Sequence, residues 1–141
     1  MTNISIEPLA RAEAVFEFLG AYGLRLAKRH GPEAARGPYW SLRYEAPRLV
    51  VTVGYADYQF DVTFEADGQR VEYFYLDQHA FDRRSGYHGN MFPPDERLPA
   101  VIDHVADDIR SHFQALLSLD AKAWEHAVRI MKAPLVKKGL P

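Results

Sequence analysis

Residues 39–76 decide the fold, and they read YWSLRYEAPRLVVTVGYADYQFDVTFEADGQRVEYFYL. Along four segments of this stretch apolar and polar residues alternate, and turn-forming residues such as Ala46-Pro47 and Asp67-Gly68 separate the segments. Alternation with a period of two is typical of a β-strand that buries one face and exposes the other. The stretch therefore predicts a four-stranded antiparallel meander.

The predicted strands differ in how clearly they alternate. In the third, Phe60 and Val62 alternate with Asp61, so its two faces are assigned directly. In the fourth, apolar residues fall on both sides, which indicates a strand that is covered on both faces or lines a contact surface. The predicted strands are residues 39–45, 48–55, 58–65 and 69–76, and the predicted core side includes Trp40, Leu42, Val51, Phe60, Val62 and Phe64.

An amphipathic helix is predicted before the meander, over residues 8–28. Apolar residues recur there at helical spacing, and Pro8 suits the first helical position. Gly20 and Gly23 interrupt the pattern, and each disfavours a helix by about 1 kcal/mol relative to alanine. A kink or an end near these glycines is therefore the alternative to a continuous helix.

Two further helices are predicted after the meander. Residues 96–117 carry one apolar stripe at helical spacing. Asp120 is placed to cap a second helix, residues 121–132, and Pro134 is expected to end it. The predicted fold is an α+β two-layer sandwich in the order α-β-β-β-β-α-α, with the sheet packed against the helices.

Composition limits the classes of function. The 141 residues are 48% hydrophobic, enough for one core, and we assign residues 1–132 to a single domain and residues 133–141 to a flexible tail. The absence of cysteine excludes disulfides and thiolate chemistry and favours a reducing compartment. A net charge of −2 gives no general attraction to nucleic acid. No signal-peptide pattern or membrane-length apolar run is present, so we expect a soluble cytoplasmic protein without nucleic-acid or membrane partners.

Motifs for catalysis or cofactor binding are absent from the sequence. It contains no Gly-x-Ser-x-Gly elbow, phosphate loop or dinucleotide fingerprint. His104, Asp108 and His112 are spaced four apart on the predicted long helix, which could in principle present them to a metal. At about 100° per residue, however, His104 points well away from the apolar stripe whereas His112 lies at its edge. We predict no metal, no cofactor and no enzymatic activity.

A candidate binding surface follows from charge. Residues 57–77 carry six acids against the single base Arg70, a local net charge of −5. A solvated outer strand face would explain part of this charge. Acids beside tyrosines on an exposed sheet also suit a basic protein partner, because opposite charge steers association. The predicted partner-binding residues here are Asp61, Glu65, Glu72, Tyr73 and Tyr75.

The connection formed by residues 77–95 is the second candidate. It is longer than a plain connector and mixes aromatic residues with arginines, a composition that is common at protein interfaces. The alternatives are a loop that packs on the sheet edge, and a small-molecule or hydrolytic pocket between the sheet and this loop that uses His79, Asp82 and His88. The predicted partner-binding residues of the loop are Arg83, Arg84, Tyr87 and His88.

The first half of the chain resembles a group of small bacterial proteins. The resemblance is carried by FEFLGAYGL at residues 16–24, by LRYEAPRLVVTV at residues 42–53 and by YQFDVTF at residues 58–64. In this group a short helix leads into a strand meander, and some members look like immunity proteins of polymorphic toxin systems. Leu24 stands where phenylalanine is commoner. The resemblance implies a non-enzymatic protein that occludes a protein partner such as a toxin, and it implies no particular binding residue.

Overall fold

The computed structural model describes residues 6–31, 39–56, 59–73, 76 and 98–137. Helix α1 (Ile6–Val15) and a 3₁₀ helix (Glu17–Tyr22) precede the sheet. The strands are β1 (Arg25–His30), β2 (Trp40–Glu45), β3 (Val50–Ala56), β4 (Gln59–Ala66) and β5 (Gln69–Glu72). The helices that follow are α2 (Leu98–His112), α3 (Gln114–Leu117) and α4 (Ala121–Lys137).

The strands form one antiparallel sheet in the order β1-β2-β3-β4-β5, so each strand pairs with its neighbour in sequence. The predicted α+β architecture, with a meander between an N-terminal helix and C-terminal helices, is confirmed. The described sheet has five strands, one more than predicted. Strand β5 is also shorter than predicted, since it ends at Glu72 and the backbone is helical at Tyr73.

The additional strand, β1, replaces the end of the predicted N-terminal helix. Gly23 adopts φ +82°, a left-handed conformation that ends the 3₁₀ helix, and its N–H donates to the carbonyl of Gly20 at 3.1 Å. The chain then extends and pairs with β2. The prediction of a continuous helix to residue 28 was wrong, whereas its alternative, an end near Gly20 and Gly23, is confirmed. The continuous pattern misled because Leu26 fits the helical stripe as well as the inward side of a strand. Whether these residues follow the helical or the strand period depends on whether they pair with β2, a segment that is distant in sequence.

The sheet buries one side, which we call the inner face. On this face Trp40 packs against two aromatic residues, with its ring centroid 6.2 Å from that of Tyr55 and 6.0 Å from that of Phe60. Helix α1 packs against α2, and Arg11 Nε donates to Asp103 Oδ1 at 2.8 Å across that contact. The predicted core assignments are confirmed. The buried inner-face residues of β2 to β5 are Trp40, Leu42, Tyr44, Val51, Val53, Tyr55, Phe60, Val62, Phe64, Ala66 and Val71.

The C-terminal helices differ from the prediction at two points. The predicted helix over residues 96–117 is divided at Phe113, whose buried ring stacks on Phe64 at 5.7 Å. Asp120 caps α4 as predicted, because its Oδ2 accepts the N–H of Ala123 at 2.9 Å. The helix continues through Pro134 to Lys137, so the prediction that Pro134 ends it was wrong. No helix in the described ranges has both the length and the apolar character to cross a membrane.

Candidate interaction surface

The side of the sheet opposite the core, here called the outer face, carries the predicted acidic residues. Strand register places Glu72 beside Thr63, and Glu65 beside Arg70, on β4 and β5. Asp61 lies on the same face, two positions from Thr63 along β4. Three carboxylates and one guanidinium therefore share this part of the surface, a net charge of −2. We call Asp61, Glu65, Arg70 and Glu72 the acidic half.

The other end of the outer face is basic, which the sequence had not indicated. Arg25 lies beside Glu45, and Lys28 beside Arg43, on β1 and β2. Arg43 Nε donates to Glu45 Oε2 at 2.6 Å. That hydrogen bond is the main reason why the pKa of Glu45 is lowered, and the charges of Arg43, Arg25 and Lys28 lower it further. We call Arg25, Lys28, Arg43 and Glu45 the basic half; its net charge is +2, from three cations and one carboxylate.

Small, uncharged side chains separate the two halves. Thr52 on β3 lies between Arg43 and Thr63 in the cross-strand row, and Gly54 lies between Ser41 and Asp61 in the next row. A Cβ atom at Gly54 would lie 3.6 Å from the nearest atom, an ordinary contact, so packing does not require glycine there. Glycine inside a strand often marks a place where another backbone or a ligand approaches closely.

Tyr73 is not part of this surface. It is 1% exposed, its hydroxyl donates to Asp108 Oδ2 at 2.8 Å, and its ring centroid lies 5.4 Å from that of Phe113. The prediction that Tyr73 is an exposed anchor was therefore wrong. The chain turns from β5 into a helical segment at this residue, so its side chain points into the core beside α2. The sequence did not show that its hydroxyl has a buried partner.

The remaining predicted contact residues lie outside the described residues. They are Tyr75, Arg83, Arg84, Tyr87 and His88. The loop at residues 77–95, and the pocket between it and the sheet that was the alternative interpretation, lie there as well. Their roles in partner binding or catalysis stay predictions.

The histidines of α2 are not gathered around a shared site with Asp108. The Asp108 carboxylate is buried and accepts the Tyr73 hydroxyl, while His112 Nε2 lies 4.0 Å from Asp108 Oδ1 and its side chain is 54% exposed. Within the residues that the structure describes, no group of three or more histidine, aspartate or glutamate side chains could hold a metal ion. The interpretation of His104 as a metal ligand gains no support from this geometry.

Two of the grooves in the described part of the structure lie between helices and strands. One, of about 520 Å³, lies between the strand turns and α4, and four of its charged lining residues form the pairs Arg48–Asp67 and Arg129–Glu125. The other, of about 550 Å³, lies between α1 and β1 and includes Tyr44. Burial raises the pKa of Tyr44 to about 12, which keeps its hydroxyl neutral at physiological pH. Glu13 and Glu17 line this groove with Tyr44, and a neutral phenol is a weak nucleophile.

The basic half was missed because residues 25–28 were assigned to the helix. One signal could have found it: the six residues of β1 lie between Gly23 and Gly31, a length typical of a strand and short for a helix.

Comparisons with protein-family models, with curated proteins and with solved structures found no match to this chain.

Proposed function

We propose that the protein is a non-enzymatic, cytoplasmic binding protein that docks a protein partner on the outer face of its sheet. In its most specific form the proposal is an immunity-type protein that occludes a toxin, as the resemblance of the first half of the chain implies. The lack of cysteine supports a reducing compartment.

One observation carries the proposal: Asp61, Glu65 and Glu72 share one side of adjacent strands, opposite the core. Strands at the edge of a sheet use charge to avoid aggregation, which explains some carboxylates. A net charge of −2 at one end, next to small residues, also provides a surface that a basic partner can approach closely. Charge of this kind acts mainly on the association rate, because the electrostatic field steers the encounter.

The test begins by purifying the tagged protein from its native host and identifying what co-elutes. Surface plasmon resonance at two ionic strengths then compares the wild type with the triple variant Asp61→Lys, Glu65→Lys, Glu72→Lys. We expect association with the purified partner to be at least about tenfold slower for the variant and less dependent on salt.

A matched control separates a local effect from an effect of net charge. The variant Glu17→Lys, Asp107→Lys, Glu125→Lys makes the same change in charge at exposed positions on the helices. We expect it to keep most of the wild-type association rate. Equal rates for wild type and the outer-face variant would place the interface elsewhere and leave the acidic half as a solvated surface.

A further inference from the structure

The charges of the outer face are arranged so that the face is complementary to itself. The basic half lies on β1 and β2, the acidic half lies on β4 and β5, and β3 runs between them with small side chains. In this arrangement two outer faces meet, and the two copies are related by a 180° rotation about an axis that lies between the faces and runs parallel to β3. The rotation places β1 over β5 of the second copy and β2 over its β4. Such a rotation generates a closed, isologous dimer. We infer that the outer face pairs with a second copy of this chain.

Register gives the contacts that this rotation creates. Lys28, Arg43, Thr52, Thr63 and Glu72 form one cross-strand row. In the dimer Lys28 lies opposite Glu72 of the second copy, and Arg43 lies opposite Thr63 of the second copy.

The contact between Arg43 and Thr63 of the second copy is favourable because of the residues beside Thr63. On the same face of β4, Asp61 and Glu65 flank Thr63 on either side. Arg43 therefore approaches two carboxylates of the second copy. By the symmetry of the rotation each contact forms twice, and the halves that face each other carry net charges of +2 and −2.

The centre of the face fits a close approach. Gly54 lies on β3, next to the axis, and therefore meets Gly54 of the second copy. Packing within one copy does not require glycine at this position. A face without a side chain at its centre lets the two backbones come closer than an ordinary residue would permit.

Other orientations are less favourable. An axis perpendicular to the strands would place Lys28 on Lys28 of the second copy and Glu72 on Glu72. Edge-to-edge pairing of β1 would bring the cations Arg25, Lys28 and Arg29 of both copies together along one edge, and β1 also contains a register shift between Leu26 and Lys28. Charged and irregular edge strands resist such pairing.

The expected affinity is modest. Five strands at a spacing of roughly 4.8 Å and rows of about six residues give a face of only about 400 Å² in plan, below the roughly 800 Å² per partner of standard interfaces. One row is also unfavourable, because in it Arg25 lies opposite Arg70 of the second copy and Glu45 lies opposite Glu65. The dimer is therefore expected at concentrations of roughly 0.1 to 1 mM and is expected to weaken as salt is added.

A charge-swap experiment tests the inference on the protein alone, by sedimentation velocity across this concentration range. One variant carries Lys28→Glu and Arg43→Glu, and the other carries Glu65→Lys and Glu72→Lys. Each variant alone brings like charges together and should be monomeric. In an equimolar mixture opposite charges meet again at positions 28 and 72 and at positions 43 and 65, so the mixture should form a dimer with one chain of each variant.

Two further variants complete the design. Gly54→Gln places a side chain at the axis and should abolish the dimer while leaving the thermal unfolding curve close to that of the wild type. A control with Lys122→Glu and Lys132→Glu on α4 changes the net charge by the same amount as the first swap variant and should dimerise like the wild type.

The inference is overturned by a wild type that stays monomeric up to about 1 mM, by swap variants that still dimerise alone, or by a mixture that stays monomeric. It is separate from the proposed function, because no partner is present in these measurements. If both hold, dimer formation and partner binding compete for the acidic half.

Discussion

At the scale of single residues, the buried tyrosines Tyr73 and Tyr44 differ in the hydrogen bonding of their hydroxyls. The Tyr73 hydroxyl donates to the buried carboxylate of Asp108 at 2.8 Å, whereas the buried Tyr44 hydroxyl has no hydrogen-bond partner within the described residues. Removing one partner of a buried, charge-assisted hydrogen bond leaves the other partner desolvated and unsatisfied.

The contrast predicts different effects of removing each hydroxyl. Tyr73→Phe should lower the free energy of unfolding by about 1.5 to 3 kcal/mol, because Asp108 stays buried. Tyr44→Phe should change it by less than about 0.5 kcal/mol or raise it, because no hydrogen bond to a described residue is lost. Urea denaturation near neutral pH measures both, and equal losses would contradict the assignment of Asp108 as the partner of Tyr73.

The raised pKa of Tyr44 predicts that the protein loses stability as the pH rises into the alkaline range. Burial raises its pKa from 10.0 to about 12, and the negative charges of Glu13 and Glu17 act in the same direction. The folded state holds the proton more tightly than the unfolded state, so this stabilisation is fully present below pH 10 and is lost as pH rises toward 12. Between about pH 9 and pH 12, wild type should lose about 2 to 3 kcal/mol more than Tyr44→Phe. Urea titrations of both proteins at these pH values measure the difference, and parallel losses would contradict it.

At the scale of elements, the passage from the 3₁₀ helix into β1 depends on one glycine. Gly23 has φ +82°, while Gly20, three residues earlier, does not have a positive φ. A Cβ atom at either position would meet no other atom within 4 Å, so backbone conformation alone distinguishes them.

This pair of glycines gives a matched test. Gly23→Ala should lower the free energy of unfolding by about 1 to 2 kcal/mol, because an L-residue is strained in the left-handed region. Gly20→Ala should leave it unchanged or raise it by up to about 1 kcal/mol, because alanine restricts the unfolded chain. Thermal unfolding followed by circular dichroism compares them. A loss at Gly20 as large as that at Gly23 would indicate that the helix does not end where the structure places it.

At the scale of the whole molecule, sheet and helices share one core. Trp40 on β2 and Trp124 on α4 both belong to the same cluster of buried residues, and Trp124 Nε1 donates to the carbonyl of Leu116 at 2.9 Å. A chain of this size with a single core usually unfolds in one cooperative step.

The shared core predicts coincident unfolding of its parts. In Trp40→Phe the remaining fluorescence reports on α4, and in Trp124→Phe it reports on the sheet. Each variant should show the same urea midpoint by fluorescence as by far-ultraviolet circular dichroism. The comparison is made within each variant, because the two substitutions change stability by different amounts. Separate transitions within one variant would show that the sheet and α4 unfold as independent units.

The faces of β2, β3 and β4 were readable from the sequence because the alternation of Trp40 with Ser41, or of Phe60 with Asp61, is a local property of an extended chain. The cap at Asp120 was readable for the same reason, since it joins residues three apart. What only the tertiary structure decided depends on distant segments. Residues 25–30 form a strand because they pair with β2. Tyr73 is buried because its hydroxyl donates to Asp108 on α2. The basic half forms because β1 lies beside Arg43. The spacing of residues along the chain does not specify which distant segment will pack beside them. The strand at residues 25–30, the burial of Tyr73 and the basic half are therefore decided by the tertiary structure.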